Sequence, residues 1–355
     1  MSLHDALNEP DEGPANLRAA RWETRARAAE SQVKNLTREL DRANQVAGLL
    51  TAIDSYTIQP PSWTKRKTTK GDHIGTPCLL LSDTHFDEVV DPAEVQGANA
   101  YNREIAEQRL RRTLEGVEKV AHGHLKGVTY DGAVLMLGGD IFTGDIHEEL
   151  TETNADTMMG SLVHWLEQMT TFIAGYRDLF GKIHVWGVVG NHGRTTRKPR
   201  AKRRVKTNFD WLLYTLLARE FAGDDRVTFT IPESADVTLQ VHDTRFLLTH
   251  GDQFRGGSGI AGIMSPLKLG QHRKGQREQA LGRGFDWMVM GHFHQYICGQ
   301  GLLVNGSLKG YDEYAYISNF GTEVPTQAFW ITTPEHGMTF TAPIFPADPK
   351  AEGWK

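Results

Sequence analysis

Cysteine is scarce: the 355 residues hold two, Cys78 and Cys298. A disulfide framework is thereby excluded, and a cytosolic setting is expected. No uninterrupted apolar stretch is long enough to span a bilayer. The opening residues, Met1-Ser2-Leu3-His4-Asp5, lack a basic segment followed by an apolar core, so no secretory signal is expected. Nor is positive charge in excess. The 39 lysines and arginines face 44 acidic residues, and the net charge of -5 gives no global reason to expect nucleic acid. There is no internal repeat and no low-complexity tract beyond one basic run.

What is present is the material of an ordinary globular protein. Hydrophobic residues make up 39% of the chain and charged residues 23%. With 8 Trp and 15 Phe, a substantial core is within reach.

Residues 1–14 are polar and carry Pro10 and Pro14, which reads as a disordered lead. From Ala15 the apolar positions Ala15, Ala19, Trp22, Ala26, Ala29, Val33, Leu36, Leu40, Ala43, Ala47 and Leu50 alternate in steps of four and three. That heptad seam predicts a helical segment over 15–54, either packed on the rest of the chain or paired with a second copy as a coiled coil. Its many alanines bury little area per turn. Residues 55–75 are polar and basic, with Pro60 and Pro61, and read as a linker. A catalytic domain is expected over 76–345, and a C-terminal tail over 346–355.

Within that domain apolar runs read as strands at 77–81, 132–137 and 183–189. Helical spacing covers 103–125, 154–179 and 207–222. Shorter strands follow at 227–231, 237–241, 246–249, 287–290, 296–298, 302–305, 327–332 and 338–343. Early βα units followed by a run of strands imply an α/β fold with two sheets and flanking helices.

Five short polar segments each follow an apolar run. They are Asp83-Thr84-His85, Gly138-Gly139-Asp140, Gly190-Asn191-His192, Thr249-His250-Gly251-Asp252 and Gly291-His292-Phe293-His294. Strand ends are where an open sheet presents its chemistry. Divalent cations of intermediate hardness favour mixed carboxylate, imidazole and amide-oxygen ligands. Asp83 and His85 are two residues apart, as are His292 and His294, so each pair projects to one side. Asp140 follows two glycines that let the backbone turn sharply, and a lone carboxylate is a natural bridge between two cations. Asn191 supplies a neutral oxygen and His250 another imidazole. Two cations about 3.5–4 Å apart can clamp a phosphoester and activate a water. His192, beside Asn191, is suited to protonate the leaving oxygen.

These motifs, through residues 83–294, resemble those of the calcineurin-like metallophosphoesterases, and more loosely the phosphoesterases of bacteriophages and prophages. The resemblance implies a four-layer α/β/β/α sandwich. It also implies that Asp83, His85, Asp140 and His294 hold one metal and that Asp140, Asn191, His250 and His292 hold the other. His192 would assist the leaving group. Two divalent ions are expected, manganese first, with iron, zinc, cobalt, nickel or magnesium as alternatives. One departure stands out: the third motif usually continues with an acidic residue, and here Gly193 and Arg194 follow. Arg194 is a candidate phosphate contact, a bidentate role its guanidinium suits.

Eight of the thirteen residues from Arg194 to Lys206 are basic. With Arg200, Arg203 and Arg204 beside the catalytic motif, the loop is a candidate polyanion surface. A second basic segment, Lys268 to Arg283, and Arg255 are expected to converge on the same cleft. Lys309 and Tyr311 are candidate pocket residues, and Asp252 a residue orienting a ligand. Nucleic acid leads as substrate, although the basic run lacks interleaved aromatics for base stacking. A small-molecule phosphodiesterase or phosphatase acting on nucleotides is the alternative. A third possibility is an oligomeric assembly protein with weak catalysis. No membrane partner is expected.

Overall fold

The computed structural model describes residues 14–51, 61–65, 73–254 and 262–354. The chain divides into two compact units, Met1–Tyr56 and Thr57–Lys355. Among the described residues the first contributes helix α1 (Ala15–Thr51). Along its heptad seam Trp22, Val33, Leu36 and Leu40 are all exposed. The side chains of the seam beyond Leu40 lie outside the described residues.

The second unit follows the expected order of elements closely. In chain order the strands are β1 (Ile74–Leu81), β2 (Thr129–Tyr130), β3 (Ala133–Leu137), β4 (Ile183–Gly187), β5 (Val227–Thr230), β6 (Asp236–Val241), β7 (Thr244–Thr249), β8 (Trp287–Met290), β9 (Ile297–Gly299), β10 (Leu302–Val304), β11 (Gln327–Thr333) and β12 (Gly337–Ile344). The helices are α2 (Arg103–Glu118), α3 (Glu148–Thr153), α4 (Met158–Phe180), α5 (Phe209–Glu220), α6 (Met264–Ala280), α7 (Glu313–Ile317) and α8 (Pro349–Glu352). Side-chain caps start α2, α4 and α5. Asn102 accepts from the Ile105 amide, Thr157 from Gly160 and Asn208 from Asp210.

One sheet runs β12-β11-β1-β3-β4-β5, with β2 beside β1. Its β1, β3, β4 and β5 are parallel, and β11 and β12 close one side antiparallel. The other runs β6-β7-β8-β10-β9, with β7, β8 and β10 parallel. The sheets pack face to face. Cys78, Leu80, Val134, Met136, Trp186 and Trp330 of the first meet Leu239, Phe246, Leu248, Val289 and Leu303 of the second in one buried cluster. The opposite face of the second sheet packs Leu247, Met288 and Leu302 on Leu267 of α6. On the outer side of the first, the Tyr176 hydroxyl of α4 donates to the Val134 carbonyl, and Tyr214 of α5 to Val188. Both cysteines are free thiols, Cys78 buried and Cys298 exposed. Among the described residues no helix is long and apolar enough to cross a membrane.

The short elements β2, α3 and α7 were not expected, and three further segments differ from the sequence reading. Residues 264–280, expected only as a basic segment, form α6. Its glycines and scattered charges blur the apolar stripe that marks a helix, and packing against the second sheet supplies the missing stabilisation. Trp63, within the expected linker, packs against the central cluster. The expected tail is docked: Glu352 of α8 is buried against Arg109 of α2, which is itself fully buried.

Candidate metal centre

The candidate ligands follow the C-terminal ends of β1, β3 and β4 in one sheet and of β7 and β8 in the other. These strands are parallel within each sheet, so their ends share an edge. Three groups of donor atoms lie within 4.8 Å of one another: Asp83–His85–His294, Asp140–His250–His292, and His85–Asp140–His192. Nε2 of His85 lies 3.2 Å from Nε2 of His294, and Asp83 Oδ1 is 3.5 Å from the same His294 nitrogen. In the second group, His250 Nε2 lies 2.9 Å from Asp140 Oδ2 and 3.2 Å from Asn191 Oδ1. Imidazoles and carboxylates converging this closely, almost all of them buried, fit a divalent cation in each of the first two groups. Asp140 belongs to the second and third of these groups and not to the first.

The backbone is held in an unusual conformation at the same residues. Asp83, His85, Asp140, His292 and His294 have φ of 52°, 45°, 49°, 72° and 53°. Left-handed backbone is uncommon outside glycine, and a cluster of it marks a place where the surroundings impose geometry. Two glycines make the close approach possible. A Cβ on Gly190 would sit 2.0 Å from Asp140 Oδ1, and one on Gly291 would sit 2.1 Å from Asp83 Oδ2.

Electrostatics set the protonation of the ligands. Burial pushes the Asp83 carboxyl up, but His294 and His250 outweigh it and hold the value below the usual range. Burial likewise opposes ionisation of Asp140, and the His250 and His192 rings outweigh it. Burial, reinforced by the Lys309 ammonium, holds His85 down, so its ring stays neutral, as a ligand requires. Burial also lowers His292, to about 4. His250 moves the other way: burial is overcome by Asp140, and the value rises to about 10. A cation bound by His250 and Asp140 would displace that proton.

His192 is braced by a carbonyl. Its Nδ1–H donates to the Thr143 carbonyl oxygen at 2.8 Å, and its backbone amide donates to Asp140 Oδ1 at 2.7 Å. Because a carbonyl only accepts, Nδ1 carries the proton and Nε2 the lone pair. Burial pushes this ring down to about 3. A bound phosphoryl anion favours its protonated form.

Two residues that brace the site escaped the sequence reading. Asp210, in the first turn of α5, is fully buried. Its carboxylate accepts the backbone amides of Asp140 at 3.1 Å, Gly190 at 2.9 Å and Ile141 at 3.3 Å, tying two ligand loops together. Burial, with the nearby charge of Asp140, pushes it up to about 7. A Cβ on Gly193 would lie 3.0 Å from Asp210 Oδ1. A helix thus places an acid beside Gly193. In sequence, an Asp in a helix's first turn reads as a response to the helix dipole, which hides this role. Glu88 is the second: its Oε2 lies 3.3 Å from His85 Nδ1 and accepts from the Thr143 hydroxyl at 3.1 Å.

A cavity of about 780 Å³ opens over the ligands, with His147, Lys309 and Tyr311 in its lining. Lys309 is buried and ion-paired with Glu88 and Asp312, so it is a structural cation in the wall. Arg194 does not line this cavity. Its guanidinium donates to the carbonyls of Asn191, Thr196 and Arg197, bracing its own loop. Both terminal nitrogens of Arg204 bond the Asp252 carboxylate at 2.8 Å, which engages Asp252 with the basic loop. Arg200 and Arg203 are exposed. The second basic segment is turned to other work: Lys274 and Arg277 both pair with Asp236. Arg255 lies outside the described residues.

No protein-family model matches this chain, and no curated protein matches it. Solved structures resemble it at low identity. A predicted phosphoesterase from Streptococcus pneumoniae is 13% identical over 76% of this chain and 97% of its own, with a TM-score of 0.26. Vacuolar protein sorting 29 from Entamoeba histolytica, in complex with zinc, is 11% identical over 77% of this chain and 100% of its own, at 0.29. A sulfate thiohydrolase from Thermus thermophilus, in complex with glycerol, is 11% identical over 84% of this chain and 59% of its own, at 0.31. Similarity at this level says nothing about activity.

Proposed function

We propose that the chain is a dinuclear-metal phosphoesterase that hydrolyses phosphodiesters, with nucleic acid as its leading substrate. The observation carrying this reading is the pair of buried ligand groups, Asp83–His85–His294 and Asp140–His250–His292, with Asn191 against the second. When bound, two divalent cations supply Lewis acidity and a nucleophile at neutral pH. Asp83, His85, Asp140 and His294 would hold one and Asp140, Asn191, His250 and His292 the other. Manganese is proposed first, and the mixed nitrogen and oxygen donors suit iron, zinc, cobalt or nickel as well. His192, with Nδ1 fixed on the Thr143 carbonyl, presents Nε2 to the leaving oxygen and delivers a proton taken up with the anionic substrate. The exposed Lys198, Arg200, Lys202 and Arg203 extend the site as a surface for a polyanion.

The test is cleavage of end-labelled single- and double-stranded DNA by manganese-loaded protein, with Asp140→Asn as control. Stepwise, Asp140-dependent degradation is expected. Intact DNA beside a hydrolysed chromogenic phosphoester would move the substrate to nucleotides and other small phosphoesters. Failure on both would leave the assembly reading.

Self-association through α1 is supported by the exposure of Val33, Leu36 and Leu40 on one heptad seam. Light scattering of the full chain and of a form lacking residues 1–60 tests it, with a smaller oligomer expected after truncation. Activity per site retained in that form would make the helix an accessory to an enzyme.

A further inference from the structure

One wall of the cavity is aromatic, and it is not explained by phosphoester chemistry. Tyr314 is 69% exposed and Phe320 53% exposed, and both line the cavity, as do Tyr311 and Phe293. Large apolar rings left in solvent beside a cleft mark a binding surface. The Tyr314 and Phe320 rings stand edge-to-face, with centroids 5.9 Å apart.

This wall is also held rigidly. The Tyr311 hydroxyl donates to the Phe320 carbonyl at 3.0 Å, closing the segment on itself. Asp312 caps α7 by accepting from the Ala315 amide at 2.7 Å. The same Asp312 pairs with Lys309, Lys309 pairs with Glu88, and Glu88 lies against His85. The rings are thus anchored to a candidate metal ligand through a chain of buried charges.

Charge divides the two sides of the centre. Among the described residues, Lys309 is the only lysine or arginine lining the cavity, and it is already paired with two carboxylates. Glu149 and Glu323 line it as well. Among the described residues no cation is left there to hold a second phosphate, and the acids repel one. Asn191 also lines a second, small pocket with Arg194, Arg200 and Arg204, of which Arg194 and Arg204 are engaged within the protein and Arg200 is exposed.

We infer that the aromatic side receives one uncharged aromatic unit of the substrate, a terminal nucleoside whose base stacks on Tyr314 and Phe320, while the phosphate-bearing remainder leaves over the basic loop. The inference rests on the phosphoesterase reading and makes its action exonucleolytic. Base stacking on aromatic side chains is tolerant of sequence, because every base has a π face.

The experiment compares wild type with Tyr314→Ala/Phe320→Ala on a dinucleoside monophosphate, thymidylyl-thymidine, and on its counterparts lacking the 5′ or the 3′ base. Both substituted side chains are exposed, and the melting curve of the variant verifies its fold. Wild type should cleave the full dinucleotide about tenfold or more faster, in kcat/KM, than one of the abasic counterparts. In the variant that ratio should fall toward one. A ratio near one in wild type, or an unchanged ratio in the variant, overturns the inference. Saturation-transfer NMR with thymidine, which carries no phosphate, is run in parallel. If wild type cleaves nothing yet binds the nucleoside, and the variant does not, the phosphoesterase reading fails while the aromatic subsite stands. If neither protein binds it, the subsite fails whatever the activity.

Discussion

Lys309 reaches Oε1 of the buried Glu88 carboxylate at 2.7 Å, and the other oxygen of that carboxylate lies 3.3 Å from Nδ1 of His85. A residue far along the chain thereby sets the environment of a candidate ligand in the first motif. The ammonium is held protonated by Glu88 and Asp312, against the effect of its burial. Removing one partner of a buried ion pair leaves the other without compensation, at a cost of about 3–5 kcal/mol. Lys309→Met should therefore lower the unfolding free energy by about that much, read by chemical denaturation, because it leaves two buried carboxylates facing each other. Glu88→Gln removes the charge behind His85 while keeping volume. It should weaken metal binding by about 10–100-fold in a chelator competition, the usual effect of losing a partner behind a metal ligand.

Asp210 supports a second prediction. Three backbone amides of the ligand loops converge on its carboxylate. Asp210→Ala leaves those buried donors without a partner, each a loss of about 1–3 kcal/mol when unmade. The loops that carry Asp140 and Asn191 would then shift, and a displacement of about 1 Å can lower turnover by about a hundredfold. The expected result is a folded but less stable protein with kcat reduced on that scale. A variant with wild-type kcat and metal affinity would remove Asp210 from the site.

Much of this centre was legible in the sequence, for a physical reason. Buried parallel strands read as short apolar runs, and their ends are where polar residues can stand, so Asp83, Asp140, Asn191, His250 and His292 announce themselves by position. The left-handed backbone at five candidate ligands was not legible, since nothing in a string of residues reports φ. Nor were the braces. Asp210 and Glu88 act across 70 and 221 residues of chain, on Asp140 and Lys309, and only the fold brings them there. The basic loop was visible as charge, yet composition does not separate Arg194 and Arg204, engaged with carbonyls and Asp252, from Arg200 and Arg203, which face solvent. The helix at 264–280 lacked a clean apolar stripe, and its stability comes from packing on the second sheet.

Glu352 supports a pH prediction away from the metal ligands. Burial pushes its carboxyl up, but its bonds to Arg109 outweigh this and hold it below the ordinary 4.5. A carboxyl whose value is lowered on folding adds stability above its unfolded value and loses it as pH falls through the folded one. The contribution is therefore complete above pH 4.5 and fades below it. Glu352→Gln should be less stable than wild type at pH 7, by about 3–5 kcal/mol, because Arg109 stays buried without its counter-charge. The difference between the two proteins should shrink as the pH is lowered below 4.5, followed by urea denaturation across that range.

The final prediction separates a polyanion surface from a solvated loop. Arg204 is unsuitable for the test, because its bidentate pair with Asp252 braces the loop. Arg200 and Arg203 are exposed, so reversing their charge leaves that brace in place. If they bind phosphates, Arg200→Glu/Arg203→Glu should weaken DNA cleavage far more than hydrolysis of a small chromogenic diester. The dependence of DNA binding on salt should also flatten. On duplex DNA each phosphate that the protein no longer neutralises takes about 0.9 from the slope of log affinity against log salt. Releasing two phosphates would thus reduce the slope by about 1.8, measured by titration at several ionic strengths. Equal effects on DNA and on the small diester, with an unchanged slope, would mean that the loop is an ordinary charged surface and that DNA does not run across it.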